Sequence, residues 1–175
     1  LDKLGGVAWQ NRKARIKKRL KDVAEYLLKT AAARKLHQGE VLGKPEGRYD
    51  EFVARFPYPE TEDQLTAIDD VCTDLISGNP MDRLICGDVG FGKTEVAMRA
   101  AFVAASSGKQ VALIVPTTLL ARQHYHSFVT RFKETGFNVA QLSRMVKPKE
   151  AALVKERVQK GEVHSLIGTH ALLAK

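Results

Sequence analysis

Apolar positions along the first 40 residues recur with a helical period. Ile16, Leu20, Val23, Leu27 and Ala31 are spaced by 4, 3, 4 and 4, which lines one face of a helix. No Pro or Gly interrupts the chain between Gly6 and Gly39. The pattern predicts a helix of about 30 residues, far longer than the average of ~11. Such a helix connects two bodies or packs across one. Gly39 to Arg48, "GEVLGKPEGR", has the composition of a linker. "YDEFVARF" then predicts a short helix, which "PYPE" breaks. Thr61-Glu62-Asp63-Gln64 has the form of a capping box and opens a helix to about Ile76, which "SGNP" ends.

From there the pattern alternates. Short apolar runs at Arg83–Cys86, Gln110–Val115, Val139–Leu142 and Val163–Ile167 predict strands. Helices are predicted between them at Lys93–Ser106, Leu119–Glu134 and Lys149–Lys160. Strands alternating with helices of this length form right-handed crossovers and a parallel sheet. The fold class is α/β, preceded by the long N-terminal helix. Three segments follow: residues 1–40, a long basic amphipathic helix; 41–60, a linker and short helix; and 61–175, an α/β lobe.

Charge changes this picture in one respect. The net charge of +8 is concentrated at the start: residues 1–40 carry 11 Lys and Arg against 4 Asp and Glu, and the remainder carries 17 against 16. The basic run of Arg12, Lys13, Arg15, Lys17, Lys18, Arg19 and Lys21 is either a solvated face or a contact for nucleic acid or an acidic partner. The rest of the surface gives no such footprint. No apolar run reaches the ~20 residues that span a bilayer, and the first residues hold no export signal. A cytoplasmic protein without a membrane partner is expected. Cys72 and Cys86, the only cysteines, read as reduced core thiols. The five histidines form no ligand pattern, so no protein-held metal centre is expected.

The most informative stretch is "LICGDVGFGKTEVAMRAAF", Leu84 to Phe102. Gly87-Asp88-Val89-Gly90-Phe91-Gly92-Lys93-Thr94 satisfies G-x-x-x-x-G-K-[ST]. Glycines let successive backbone N–H groups converge on phosphate oxygens. A helix N-terminus adds its positive dipole end. Lys93 supplies a mobile charge for the β- and γ-phosphates, and Thr94 a hydroxyl for Mg²⁺; Glu95 follows directly and is counted with the nucleotide site. ATP with Mg²⁺ is the expected ligand. Lys93 and Thr94 are the candidate catalytic residues.

Three other stretches bear on what the loop serves. Phe56 and Gln64 lie upstream. Gln64 could read two edges of an adenine through its carboxamide while Phe56 stacks on the ring, or it could serve the capping box alone. Two predicted strand ends share a design: Val115-Pro116-Thr117-Thr118-Leu119 and Ile167-Gly168-Thr169-His170-Ala171, the second continuing to Lys175. Each sets hydroxyls between an apolar strand and a following helix, at the carboxyl edge of the sheet where the glycine loop also lies. They are ordinary helix caps or, taken together, donors for a phosphate backbone.

Together these stretches resemble the first RecA-like lobe of superfamily-two DNA translocases, and "MDRLICGDVGFGKTEVAMRAAF" with "PTTLLARQHYHSF" is most similar to the transcription-repair coupling factor family. The resemblance covers most of residues 52–175; residues 1–40 resemble the end of that family's polymerase-interacting region and its connecting helix. It implies an ATP hydrolase that moves on double-stranded DNA, displaces stalled RNA polymerase and recruits excision-repair proteins. It places phosphate binding on Gly87, Asp88, Val89, Gly90, Phe91, Gly92, Lys93 and Thr94, adenine reading on Phe56 and Gln64, and DNA-backbone contact on Pro116, Thr117, Thr118, Gly168, Thr169 and His170. The alternatives are a motor lobe closer to the RecG helicase and a protein-interaction segment acting through the basic helix. The family's acidic D-E-x-H motif is absent from these 175 residues. The expectation is therefore weak nucleotide binding without hydrolysis, and either association of copies through sheet edges or a rearranged sheet.

Overall fold

The computed structural model describes residues 6–173. Residues 1–5, and Ala174 and Lys175 at the end of the second strand-end motif, lie outside the described residues. Helix α1 spans Val7–Leu36, 30 residues, as its period predicts. None of its residues is buried: the apolar stripe is present, but Ile16 is 50% and Leu20 64% exposed. Its C-terminal end is tied to the rest of the chain. Arg34 pairs with Asp82, and the following linker runs beside the end of α3 (Glu62–Ile76), where Gly39 N–H donates to the Gly78 carbonyl at 2.7 Å and Leu42 N–H to the Leu75 carbonyl at 2.9 Å.

The short helix α2 is Arg48–Ala54. Then come α4 (Lys93–Ser106), β1 (Val111–Ile114), α5 (Thr118–Arg131), β2 (Val139–Leu142), α6 (Pro148–Gln159), β3 (Ser165–Gly168) and a 3-10 turn at His170–Leu173. The strands form one parallel sheet in the order β1-β3-β2. Its register sets Ile114 and Leu142 both opposite Gly168. The main core lies between the sheet and helices α2, α4 and α5. It is built around Phe52, Phe102, Phe128, Phe132 and Ile167, with the Phe52 and Phe102 rings stacked at 4.3 Å. A second cluster joins Ile68, Val71 and Cys72 of α3 to Val96 of α4. These apolar contacts fix α4, and with it the glycine loop, against both neighbours.

Two expectations need correction. Arg83–Cys86 is not a strand. A strand requires a ladder partner as well as an apolar run. None of the three strands pairs with this segment: the ladders run only between β1 and β3 and between β3 and β2. The segment lies along α3 instead, where Arg83 donates to Asp74 at 2.6 Å and Asp70 at 2.8 Å and Ile85 packs on the α3–α4 cluster. Arg83's hydrogen bond holds the Asp74 carboxyl below its ordinary range. For the same reason Cys86 is exposed, whereas Cys72 is buried as expected.

Gly168 shows how closely the sheet's carboxyl edge is packed. A Cβ there would stand 2.2 Å from the backbone carbonyl oxygen of Leu142 and 2.8 Å from the Leu172 side chain. Strand backbones cannot yield to such an overlap without giving up ladder hydrogen bonds. Gly168→Ala is therefore expected to destabilise the fold by about 1–3 kcal/mol, read as a lowered thermal midpoint. An unchanged midpoint would mean that β2 and β3 separate freely at this end.

Candidate nucleotide-binding site

The glycine loop occupies the turn into α4. Gly90 and Gly92 have φ of 88° and 67°, and Gly92 is the N-cap of α4. Gly92 meets two demands at once: positive φ, and an approach so close that a Cβ would lie 2.2 Å from Gln64 Nε2. Lys93 folds back over the loop, its ammonium donating to the carbonyls of Gly87 at 2.7 Å and Asp88 at 2.6 Å. A cation thus sits within the ring of backbone at the positive end of α4. Val89 and Phe91 point outward, 98% and 61% exposed. Thr94 is half-buried and lines the adjoining cleft.

That cleft has a volume of about 1000 Å³. The Phe56–Pro59 segment, Thr61 and Gln64 form one side, Gly90, Phe91, Gly92 and Thr94 another, and α5 residues including His124, Ser127 and Arg131 the third. Gln64 closes the corner between the first two. The capping box is complete: Thr61 Oγ1 accepts from Gln64 N–H at 3.2 Å, and Gln64 Oε1 accepts from Thr61 N–H at 2.9 Å. The same side chain's Nε2 donates to the Phe91 carbonyl at 2.9 Å. Each end of the carboxamide is used once and retains one further hydrogen-bonding position. Capping and base reading are therefore chemically compatible on this residue.

Glu95, counted with the nucleotide site from its position, is buried at 5% exposure. It accepts from Arg99 Nε at 2.9 Å, from Arg131 Nη2 at 2.8 Å and, on its other oxygen, from Arg131 Nε at 3.2 Å. Arg99 also donates to Glu60. Two guanidinium groups and two carboxylates are thus interlocked between α4, α5 and the segment entering α3. Burial works against the charge on Arg99, yet the hydrogen bonds it donates to Glu60 and Glu95 outweigh it and raise its pKa. The sequence pattern did not point to this cluster. The spacing of Glu95 and Arg99 on a mostly apolar helix was its only local signal. Arg131 is 36 residues from Glu95, beyond the reach of any periodicity.

The Arg99 hydrogen bond, followed by one from its own backbone, holds the Glu60 carboxyl below its ordinary value of 4.5. A carboxyl whose pKa is depressed by folding stabilises the fold fully above its unfolded value and loses that contribution as pH falls through the folded one. Stability should therefore decline on acidification below about pH 4.5, and less steeply in Glu60→Gln. Parallel profiles of thermal midpoint against pH for the two proteins would refute this.

The two strand ends lie side by side at the carboxyl edge of the sheet. Val115 N–H donates to the Gly168 carbonyl at 2.9 Å, so β1 and β3 remain joined one residue past the end of β1. Thr117 is the N-cap of α5, its hydroxyl accepting from Leu120 N–H at 3.2 Å. A hydroxyl so used keeps its hydrogen to donate. Thr118 is half-buried and Pro116 exposed. Thr169 is half-buried, and His170 is exposed at the start of the 3-10 turn. Among the described residues no group of three or more His, Cys, Asp or Glu could hold a metal ion.

Over its full length the chain is 52% identical to the transcription-repair-coupling factor of Rickettsia bellii (strain RML369-C) and covers 16% of that protein. It is 46% identical, again over its full length, to the transcription-repair-coupling factor of Bacillus subtilis (strain 168), of which it covers 15%. It thus spans about a sixth of the length of these relatives. Among solved structures, RecG bound to a three-way DNA junction matches 83% of the chain at 38% identity with a TM-score of 0.76; the match covers 20% of the RecG chain. With the DEAD/DEAH box helicase family pattern matching residues 61–175, two-thirds of its length and all of the glycine loop, the chain belongs to that family.

Proposed function

We propose that the chain is the nucleotide-binding portion of an ATP-driven translocase on double-stranded DNA, of the kind that displaces stalled RNA polymerase and couples transcription to nucleotide excision repair. RNA polymerase and excision-repair proteins are the partners this reading implies, and the cytoplasm its compartment. The observation that carries it is the glycine loop at the N-terminus of α4, with the Lys93 ammonium held on the Gly87 and Asp88 carbonyls beside a cleft large enough for a nucleoside. Phosphate oxygens are stronger acceptors than those carbonyls. A triphosphate would draw Lys93 off them and take the loop's N–H groups.

The residues present fit that ligand. Phe56 and Gln64 line the cleft on the side that would take the base, and Gly90, Phe91, Gly92 and Thr94 line it where the phosphate loop adjoins. Thr94 offers a hydroxyl to Mg²⁺, which neutralises charge between phosphates when bound. The reading of the duplex partner is supported by the adjacent strand ends and by the solved RecG complex, whose DNA is a three-way junction. Identity of 43–52% with the coupling factors across the whole chain favours that family's role over RecG's.

Anisotropy of a fluorescent DNA duplex titrated with the chain, with and without ATP and Mg²⁺, tests the proposal. Thr117→Ala and Thr169→Ala together should weaken binding several-fold and equally for unrelated sequences, because backbone contacts carry no sequence information. Wild-type affinity in that double variant would remove the strand ends from the DNA interface.

A further inference from the structure

We infer that Arg131 is a positioning residue for the base end of the nucleotide site, acting through Phe56. The inference rests on the nucleotide reading above and assigns a function to the buried charge cluster beside the cleft.

The Phe56 ring belongs to none of the apolar clusters that hold the fold together. Its neighbours are Tyr58, ring centroids 5.6 Å apart, and two guanidinium groups, those of Arg99 at 5.7 Å and Arg131 at 5.8 Å from the ring centre. The ring that would meet a base is therefore flanked by Tyr58 and two cations rather than packed into the core.

Arg131 lies against Phe52 at 3.8 Å and donates twice to Glu95, which immediately follows the phosphate-loop residue Thr94. Arg99 bridges Glu95 to Glu60, in the segment that carries Phe56. Each of the two guanidinium groups has a carboxylate to balance it. Arg131 thus lies on an aromatic ring anchored in the core, hydrogen-bonds the carboxylate next to the phosphate loop, and stands within cation–π range of Phe56. The planar fork of a guanidinium can hydrogen-bond a carboxylate through two nitrogens while its faces lie on rings, and an ammonium cannot. Arg131 Nη1 is buried without a hydrogen-bond partner, so contact with the rings and with Glu95 places this group, rather than full hydrogen bonding.

The consequence is specific. Loss of Arg131 should disturb the base end of the site and spare the phosphate end, where the loop amides and Lys93 remain. The test compares dissociation constants for ADP and for inorganic pyrophosphate, both with Mg²⁺, in the wild-type chain, Arg131→Met and Arg131→Lys. Arg131→Lys keeps the charge and the aliphatic stem, and it carries the test if the Met variant does not fold. ADP binding is expected to weaken about tenfold in both variants, equivalent to about 1.4 kcal/mol, with pyrophosphate within about twofold of wild type. Introduced on a Phe56→Ala background, either substitution should add nothing further to the ADP loss. Equal weakening of ADP and pyrophosphate, wild-type ADP affinity in Arg131→Lys, or full additivity with Phe56→Ala would each overturn the inference while leaving the nucleotide site standing. A wild-type chain that binds neither ligand would overturn the nucleotide reading itself, and the inference with it.

Discussion

Lys93→Ala is expected to weaken binding of ATP with Mg²⁺ at least about a hundredfold. The ammonium makes two contacts in the loop. Hydrogen bonds to a charged group contribute about 1.5–3 kcal/mol each, and 1.4 kcal/mol is a factor of ten in affinity. Exchanging two carbonyl acceptors, at 2.7 and 2.6 Å, for phosphate oxygens makes both contacts charge-to-charge. The Ala variant forfeits them and leaves only the loop amides and the end of α4 to meet the ligand. The fold should be unaffected, since Lys93 is exposed and at the first position of its helix. Titration with a fluorescent ATP analogue, with circular dichroism to show an intact fold, makes the measurement. Unchanged affinity in a folded variant would mean that the loop is a structural turn and that the ligand, if any, binds elsewhere.

How much of this was legible in the sequence depended on how local the cause was. The glycine loop could be read because its chemistry is written in eight consecutive residues. The capping box needed only four, Thr61 to Gln64, and both of its hydrogen bonds form. Helix α4 begins and ends where its apolar pattern indicated, and so does β2. Arg83–Cys86 failed because strand formation depends on a neighbour that the residues themselves do not name. The stripe on α1 was read correctly as helical, but a period cannot say what covers the face, and no residue of α1 is buried. Gln64 illustrates a subtler limit. Capping and base reading use partly different atoms of one side chain, and the structure adds a third contact that no pattern indicates, from Nε2 to the Phe91 carbonyl. Of the charge cluster only the Glu95–Arg99 spacing is local; Glu60 and Arg131 join it only after α2, α4 and α5 have packed around Phe52 and Phe102.

That cluster sets the largest expected change in stability. Glu95→Ala removes one carboxylate from between two guanidinium groups whose side chains are only 3% and 9% exposed. The charges do not leave with it. Arg99 keeps Glu60 as a partner, whereas Arg131 loses both of its carboxylate hydrogen bonds and retains only its rings. Removing one partner of a buried ion pair typically costs about 3–5 kcal/mol, because the remaining charge has neither water nor counter-charge. For a chain of this size that corresponds to a fall in thermal midpoint of roughly 6–20 °C. An exposed pair provides the contrast: Glu156→Ala breaks the Lys160–Glu156 contact, where both side chains are more than half exposed, and should change stability by less than about 1 kcal/mol. Removing the stranded charge as well, in Glu95→Ala with Arg131→Met, should restore part of the loss, because what destabilises the single variant is an uncompensated cation rather than a missing attraction. If Glu95→Ala and Glu156→Ala prove equally mild, water reaches the cluster, and the two arginines cannot be what holds Phe56 at the cleft.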